Sequence, residues 1–164
     1  MTVSHVEPDV NPGSLTQGRI LYATDLSAGS VAGLEVASDW AGRFAAGLIV
    51  LHVMLPLQLE YGTTYLPLDI GKDHETLHRE LSEQLERFVP ESIRLDPKVR
   101  LETGEGVPYE VIFQFAEDRK ADLVVINLHG KSRLDRTRGG STAERVVRAS
   151  PRPVLSIPVL NTPG

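Results

Sequence analysis

Four short runs of nearly uninterrupted apolar residues, 20–24, 48–54, 122–126 and 153–157, recur along the chain with helical patterning between them. Side chains of a strand alternate between two faces, so a strand apolar at every position needs cover on both. Between the runs, Leu34, Ala37, Ala41, Phe44 and Ala45 recur at helical spacing, as do Leu77, Leu81, Leu85 and Phe88. Gly106 and Pro108 open a further helix with Val111, Ile112, Phe115 and Ala116 inward, and 141–149 reads as the last one. Residues 98–102 alternate polar and apolar, which marks a half-buried strand. Five strands thus alternate with four helices. That pattern predicts βαβ crossovers: an α/β fold with a five-stranded, mostly parallel open sheet and helices on both faces. The alternating third strand belongs at one edge. An apolar last strand at the other edge invites a partner strand. Residues 55–72, rich in Pro, Gly and Tyr, read as a loop.

A chain of 164 residues suits one core. The absence of cysteine excludes a disulfide scaffold, a thiolate zinc site and a cysteine nucleophile, and it fits a reducing, cytoplasmic setting. A net charge of −5 argues against nucleic acid as a partner, and no apolar run is long enough for a membrane span. Residues 1–18 lack the pattern of a signal peptide and read as a disordered tail. The expected organisation is that tail, a folded domain over 19–158, and a short C-terminal tail over 159–164.

Two stretches carry chemistry. Asp25, Ser27 and Ser30 follow the first strand and are good helix-start residues. After the fourth strand, Gly130, Gly139 and Gly140 allow close backbone approach to a ligand, and Ser141 and Thr142 open a helix whose free N–H groups favour a phosphate. Between them Lys131, Arg133, Arg136 and Arg138 outnumber Asp135, a cationic excess in an acidic chain that suits an anion. Residues 74–78, HETLH, match a zinc-protease pattern, but DIGKD before them does not continue an apolar stripe and no third ligand is evident, so a solvated helix face is the expected reading. His52 reads as a core histidine with a hydrogen-bond partner, and Trp40, Tyr61 and Tyr65 as packing residues.

Gly130, nine intervening residues and Gly140-Ser141, with ILYATDLS at 20–27, VLHV at 50–53 and GVPYEVI at 106–112, resemble the universal stress protein family over about residues 18–158. Its nucleotide motif begins with a further glycine three residues before Gly130, where this chain has Asn127. The resemblance implies a Rossmann-like strand order of 3-2-1-4-5. Ligands of such a sheet sit beyond the carboxyl ends of the strands where the order reverses, here between strands one and four. It also implies an adenine nucleotide, ATP or AMP, with no metal beyond accompanying Mg. Asp25 would accept hydrogen bonds from the adenosine end and Val53 would lie near the base. Gly130, Gly140, Ser141 and Thr142 would hold phosphates, with Asn127 and His129 beside them. The Asn127 side chain would occupy space that glycine leaves open, so Asn127→Gly is expected to tighten binding. Val154, Leu155 and Ile157 would pair with the same strand of a second chain in a homodimer. The function implied is a nucleotide-binding stress-response or regulatory protein. The alternative is a dimeric interaction protein whose nucleotide site has decayed. The glycine loop holds no nucleophile–base pair and no carboxylate but Asp135, so the reading leans away from an enzyme, with slow ATP hydrolysis as the upper limit.

Overall fold

Each apolar run becomes a strand with a packed layer on both sides. The computed structural model describes residues 18–54, 58–61, 64–67, 74–128 and 142–158. The expected tails lie outside these residues except for Gly18. In chain order the elements are β1 (Arg19–Thr24), α1 (Val31–Arg43), β2 (Gly47–Met54), β3 (Gln58–Tyr61), β4 (Thr64–Pro67), α2 (His74–Phe88), α3 (Glu91–Arg94), β5 (Val99–Glu105), α4 (Pro108–Asp118), β6 (Leu123–Asn127), α5 (Thr142–Ala149) and β7 (Val154–Ile157). The main sheet has the order β5-β2-β1-β6-β7 with every pair parallel, which is the predicted 3-2-1-4-5.

Alternation along the strands splits the core in two. Ile20, Tyr22, Leu48, Val50, Leu123 and Val125 face α1 and α2, where Leu34, Ala37 and Leu85 meet them. Leu21, Ala23, Ile49, Leu51, Val124 and Ile126 face α4 and α5, where Ile112, Ala116 and Val146 meet them. The third strand lies at an edge, as its alternation predicts.

Three expectations need correction. Residues 55–72 are not simply loop, because β3 and β4 within them pair antiparallel as a separate two-stranded sheet. The third strand runs over 99–105 rather than 98–102, because it follows β2 to its end, where Val53 pairs with Gly104 and Met54 with Glu105. The first helix starts only at Val31, after a short 3-10 turn over Ala28–Ser30. Neither Ser27 nor Ser30 caps it through its side chain.

Candidate functional site

The strand order reverses between β1 and β6, and their carboxyl ends meet there. Ala23 pairs with Ile126, so Thr24 and Asn127 lie side by side at the lip of the sheet. Beyond Thr24 the chain turns sharply. Leu26 has φ 58, in the left-handed region that a bulky side chain rarely adopts. Such strain, of order 1–3 kcal/mol, persists only where the surroundings enforce it. Here they do: the Leu26 N–H donates to Thr24 Oγ1 at 3.0 Å, and the Leu26 side chain packs against the α1-side core.

Asp25, half-buried, is set by the same turn. Its Oδ1 accepts from the Ser27 N–H at 3.0 Å and from the Ser27 hydroxyl at 2.6 Å. Asp25 thus braces the turn that leads to α1 and stands at the switch point as well. These two bonds make Asp25 a brace for the start of the helix that follows.

Beneath the turn is a buried polar cluster. The Ser30 hydroxyl donates to Ser27 O at 2.7 Å, so the Thr24 hydroxyl, 3.0 Å away, is the donor toward Ser30 Oγ. The Tyr22 hydroxyl lies against Ser30 O and 3.0 Å from Asn127 Oδ1. Asn127 Nδ2 donates to Gly29 O at 3.2 Å. Burial pushes the Tyr22 phenol up to about 12, with the nearby Asp25 charge adding to the effect. At neutral pH it is therefore a donor. Across the sheet, His52 Nδ1 lies 2.8 Å from Thr24 O. A carbonyl only accepts, so Nδ1 carries the proton, and His52 has the hydrogen-bond partner that a core histidine needs.

Of the expected site residues, the structure brings together Asp25 and Asn127 at the reversal. Val53, at the end of β2, packs against the α4-side core. Thr142 opens α5, as predicted. His129, Gly130, Gly140 and Ser141, and the cationic loop 131–138, lie outside the described residues. Near the start of α5, Arg145 holds its guanidinium 4.7 Å from the Tyr109 ring centre, which ties α5 to α4. In the HETLH segment, His78 Nε2 lies 3.4 Å from Glu105 Oε2 at the end of β5. Among the described residues no group of three or more His, Cys, Asp or Glu is placed to hold a metal. No helix among them is long and apolar enough to cross a membrane.

Tyr22 and Gly33 escape a reading of the sequence, and Ser30 is marked there only as a helix-start residue. One signal was available: a tyrosine inside an apolar strand has a hydroxyl that must find a partner.

An open parallel sheet, covered on both faces and reversing at β1 and β6, defines the doubly wound α/β class, whose ligands sit at the reversal. The universal stress protein family model matches residues 17–158, and the chain belongs to that family. Universal stress protein MJ0531 of Methanocaldococcus jannaschii is 40% identical over 83 residues, 51% of this chain and about half (49%) of that protein. Universal stress protein MJ0577 of the same organism is 27% identical over 88% of this chain and 96% of its own length. The solved structure of MJ0577 superposes with a TM-score of 0.66 at 25% identity, covering 90% of this chain and 99% of that one. A universal stress protein solved in complex with cAMP aligns with a TM-score of 0.63 at 20% identity, over 88% of this chain and 98% of that one. One from Archaeoglobus fulgidus solved in complex with dAMP aligns with a TM-score of 0.56 at 24% identity, over 87% and 98%. At these last two identities the likeness is one of fold.

Proposed function

We propose that this chain is a nucleotide-binding stress-response or regulatory protein whose crevice, at the carboxyl ends of β1 and β6, takes the adenosine phosphate part of ATP or AMP. The observation that carries this reading is Asp25, a carboxylate braced by a strained turn at the point where the strand order reverses. The fold-level neighbours solved with cAMP and dAMP support it, since both ligands share an adenine, a sugar and one phosphate. In this reading Asp25 accepts from the adenosine end and Val53 lies by the base. Gly130, Gly140, Ser141 and Thr142 hold phosphate with Asn127 and His129 nearby, and Mg accompanies ATP. The protein works in the cytoplasm as a homodimer joined through β7.

Titration calorimetry with ATP, ADP and AMP tests the reading. Asp25→Asn keeps the Oδ1 acceptor that Ser27 uses but removes the charge. Losing one charge-assisted hydrogen bond costs about 1.5–3 kcal/mol, so affinity for AMP and ATP should fall by similar factors of about 10–150. The melting temperature should fall only modestly, because the two Ser27 bonds persist in neutral form. Wild-type protein that binds none of the three nucleotides would refute the function. Equal affinity in Asp25→Asn would reduce Asp25 to a brace.

A further inference from the structure

The side chain of Asn127 does not occupy the crevice. Strand alternation turns it to the α1 side, with Leu123 and Val125, and it is 8% exposed. There it fills a notch over α1 that exists only because residue 33 is glycine: a Cβ at Gly33 would come 2.1 Å from Asn127 Oδ1. From this notch the amide reaches Tyr22 on β1 and the Gly29 carbonyl in the turn. The single proton of the Tyr22 hydroxyl is shared between Asn127 Oδ1 and the next carbonyl, that of Ser30. Two successive carbonyls between Asp25 and α1 are thus held from behind by side chains of β6 and β1.

We propose that Asn127 is a positioning residue of the nucleotide crevice: seated in the Gly33 notch, it ties the end of β6 to the turn that presents Asp25. The inference rests on the nucleotide reading above. It reverses the expectation drawn from the motif. Glycine at 127 opens no room for ligand; it empties the notch, leaves the Gly29 carbonyl without this donor and loosens Asp25. The asparagine is a reinforcement of the site from outside it.

AMP titration at 10 °C, with each variant shown folded by circular dichroism, tests the proposal. Loss of these buried hydrogen bonds should weaken AMP about tenfold in both Asn127→Gly and Asn127→Ala. Gly33→Ala, which evicts the amide, should weaken it similarly. Gly33→Ala/Asn127→Ala should lose less than the sum of the two single changes, because both strike the Asn127 contact, although the new Cβ also comes 2.9 Å from Tyr22 Cε2. In the wild type, the side-chain amide signals that vanish in Asn127→Ala should shift on saturation with AMP. Unchanged or tighter AMP binding in Asn127→Ala, with only the melting temperature lowered, overturns the positioning role and leaves the nucleotide reading intact. Wild-type protein that binds no adenine nucleotide overturns both. Additive losses in the double variant overturn the pairing of Asn127 with Gly33.

Discussion

Tyr22 shows how one hydroxyl in an apolar strand organises a site. Its side chain is 0% exposed and its phenol is raised from 10.0 to about 12, mainly by burial. The neutral form is thus favoured in the folded chain. Below about pH 10 both folded and unfolded states keep the proton, and the full contribution is present. As pH climbs from 10 toward 12 the unfolded state ionises first, so stability falls, by on the order of 3 kcal/mol at most. Tyr22→Phe removes this dependence. At pH 8 it should cost about 1 kcal/mol for the lost hydrogen bond, and the gap to wild type should narrow or reverse by pH 11.5. Urea unfolding at the two pH values reads this directly. A gap that stays constant would mean the phenol ionises as an exposed tyrosine does. Asp25 can be singled out from sequence by its place after the first strand, and Asn127 by the glycine spacing. The partners of Asn127 cannot be, because Tyr22 lies 105 residues earlier and Gly33 gives no local sign of facing it.

At the scale of elements, strand cores were legible and ends were not. α1 and α4 both stop at a residue in the left-handed conformation, Ala45 and Lys120, at φ 53 and 52. Each closes with a bond back to the helix, Ala46 N–H to Ala41 O and Ala121 N–H to Ala116 O. Glycine is the usual residue there, so its absence hid both stops. The reverse happened in β5. Gly104 resembles a turn residue but sits inside the strand, because α4 approaches closely: a Cβ there would lie 2.6 Å from Val111 Cγ1 and 3.4 Å from Phe115 Cε2. Gly104→Ala should therefore destabilise by about 1–3 kcal/mol, the usual range for overpacking. Trimming the neighbour with Val111→Ala in the same chain should recover part of that loss in chemical denaturation. Equal loss with and without the trim would place the cost elsewhere. Because Gly104 pairs with Val53, this contact also holds α4 beside the wall proposed for the base.

For the whole molecule, the decisive element is β7, the outer strand of the main sheet beyond β6. Its inner edge bonds to β6, with Pro153 O and Ile157 O accepting from Val124 and Leu128. Parallel ladders use alternate residues, so the backbone groups of Val154 and Ser156 point away from β6. The side chains of β7 are only half-buried, including Val154, Leu155 and Ile157. An apolar edge of this kind is a pairing surface, and the proposed dimer uses it. Leu155 packs on the α1-side core, so Leu155→Lys would strike core and edge together. Ser156→Pro is the sharper test. It removes one outward N–H and spares the ladder to β6, the position where an edge strand tolerates proline. Light scattering at about 50 μM, well above the Kd expected of a stable dimer, should give a dimer for wild type and a monomer for Ser156→Pro. A monomeric wild type would exclude the β7 dimer.

The local patterns of the chain gave the fold class and the strands, and the family resemblance supplied their order. Buried strands must be apolar on both faces, helices must carry one apolar stripe, and both patterns are local. The resemblance also marked Asp25, through the segment after the first strand, and Asn127, through the glycine spacing. What Asn127 does was decided only by tertiary structure. The direction of its side chain depends on the parity of β6 against β1, and the room it fills depends on a glycine in a helix from the other half of the chain. Space left by an absent Cβ leaves no trace in any local pattern, since it exists only between segments once they are packed.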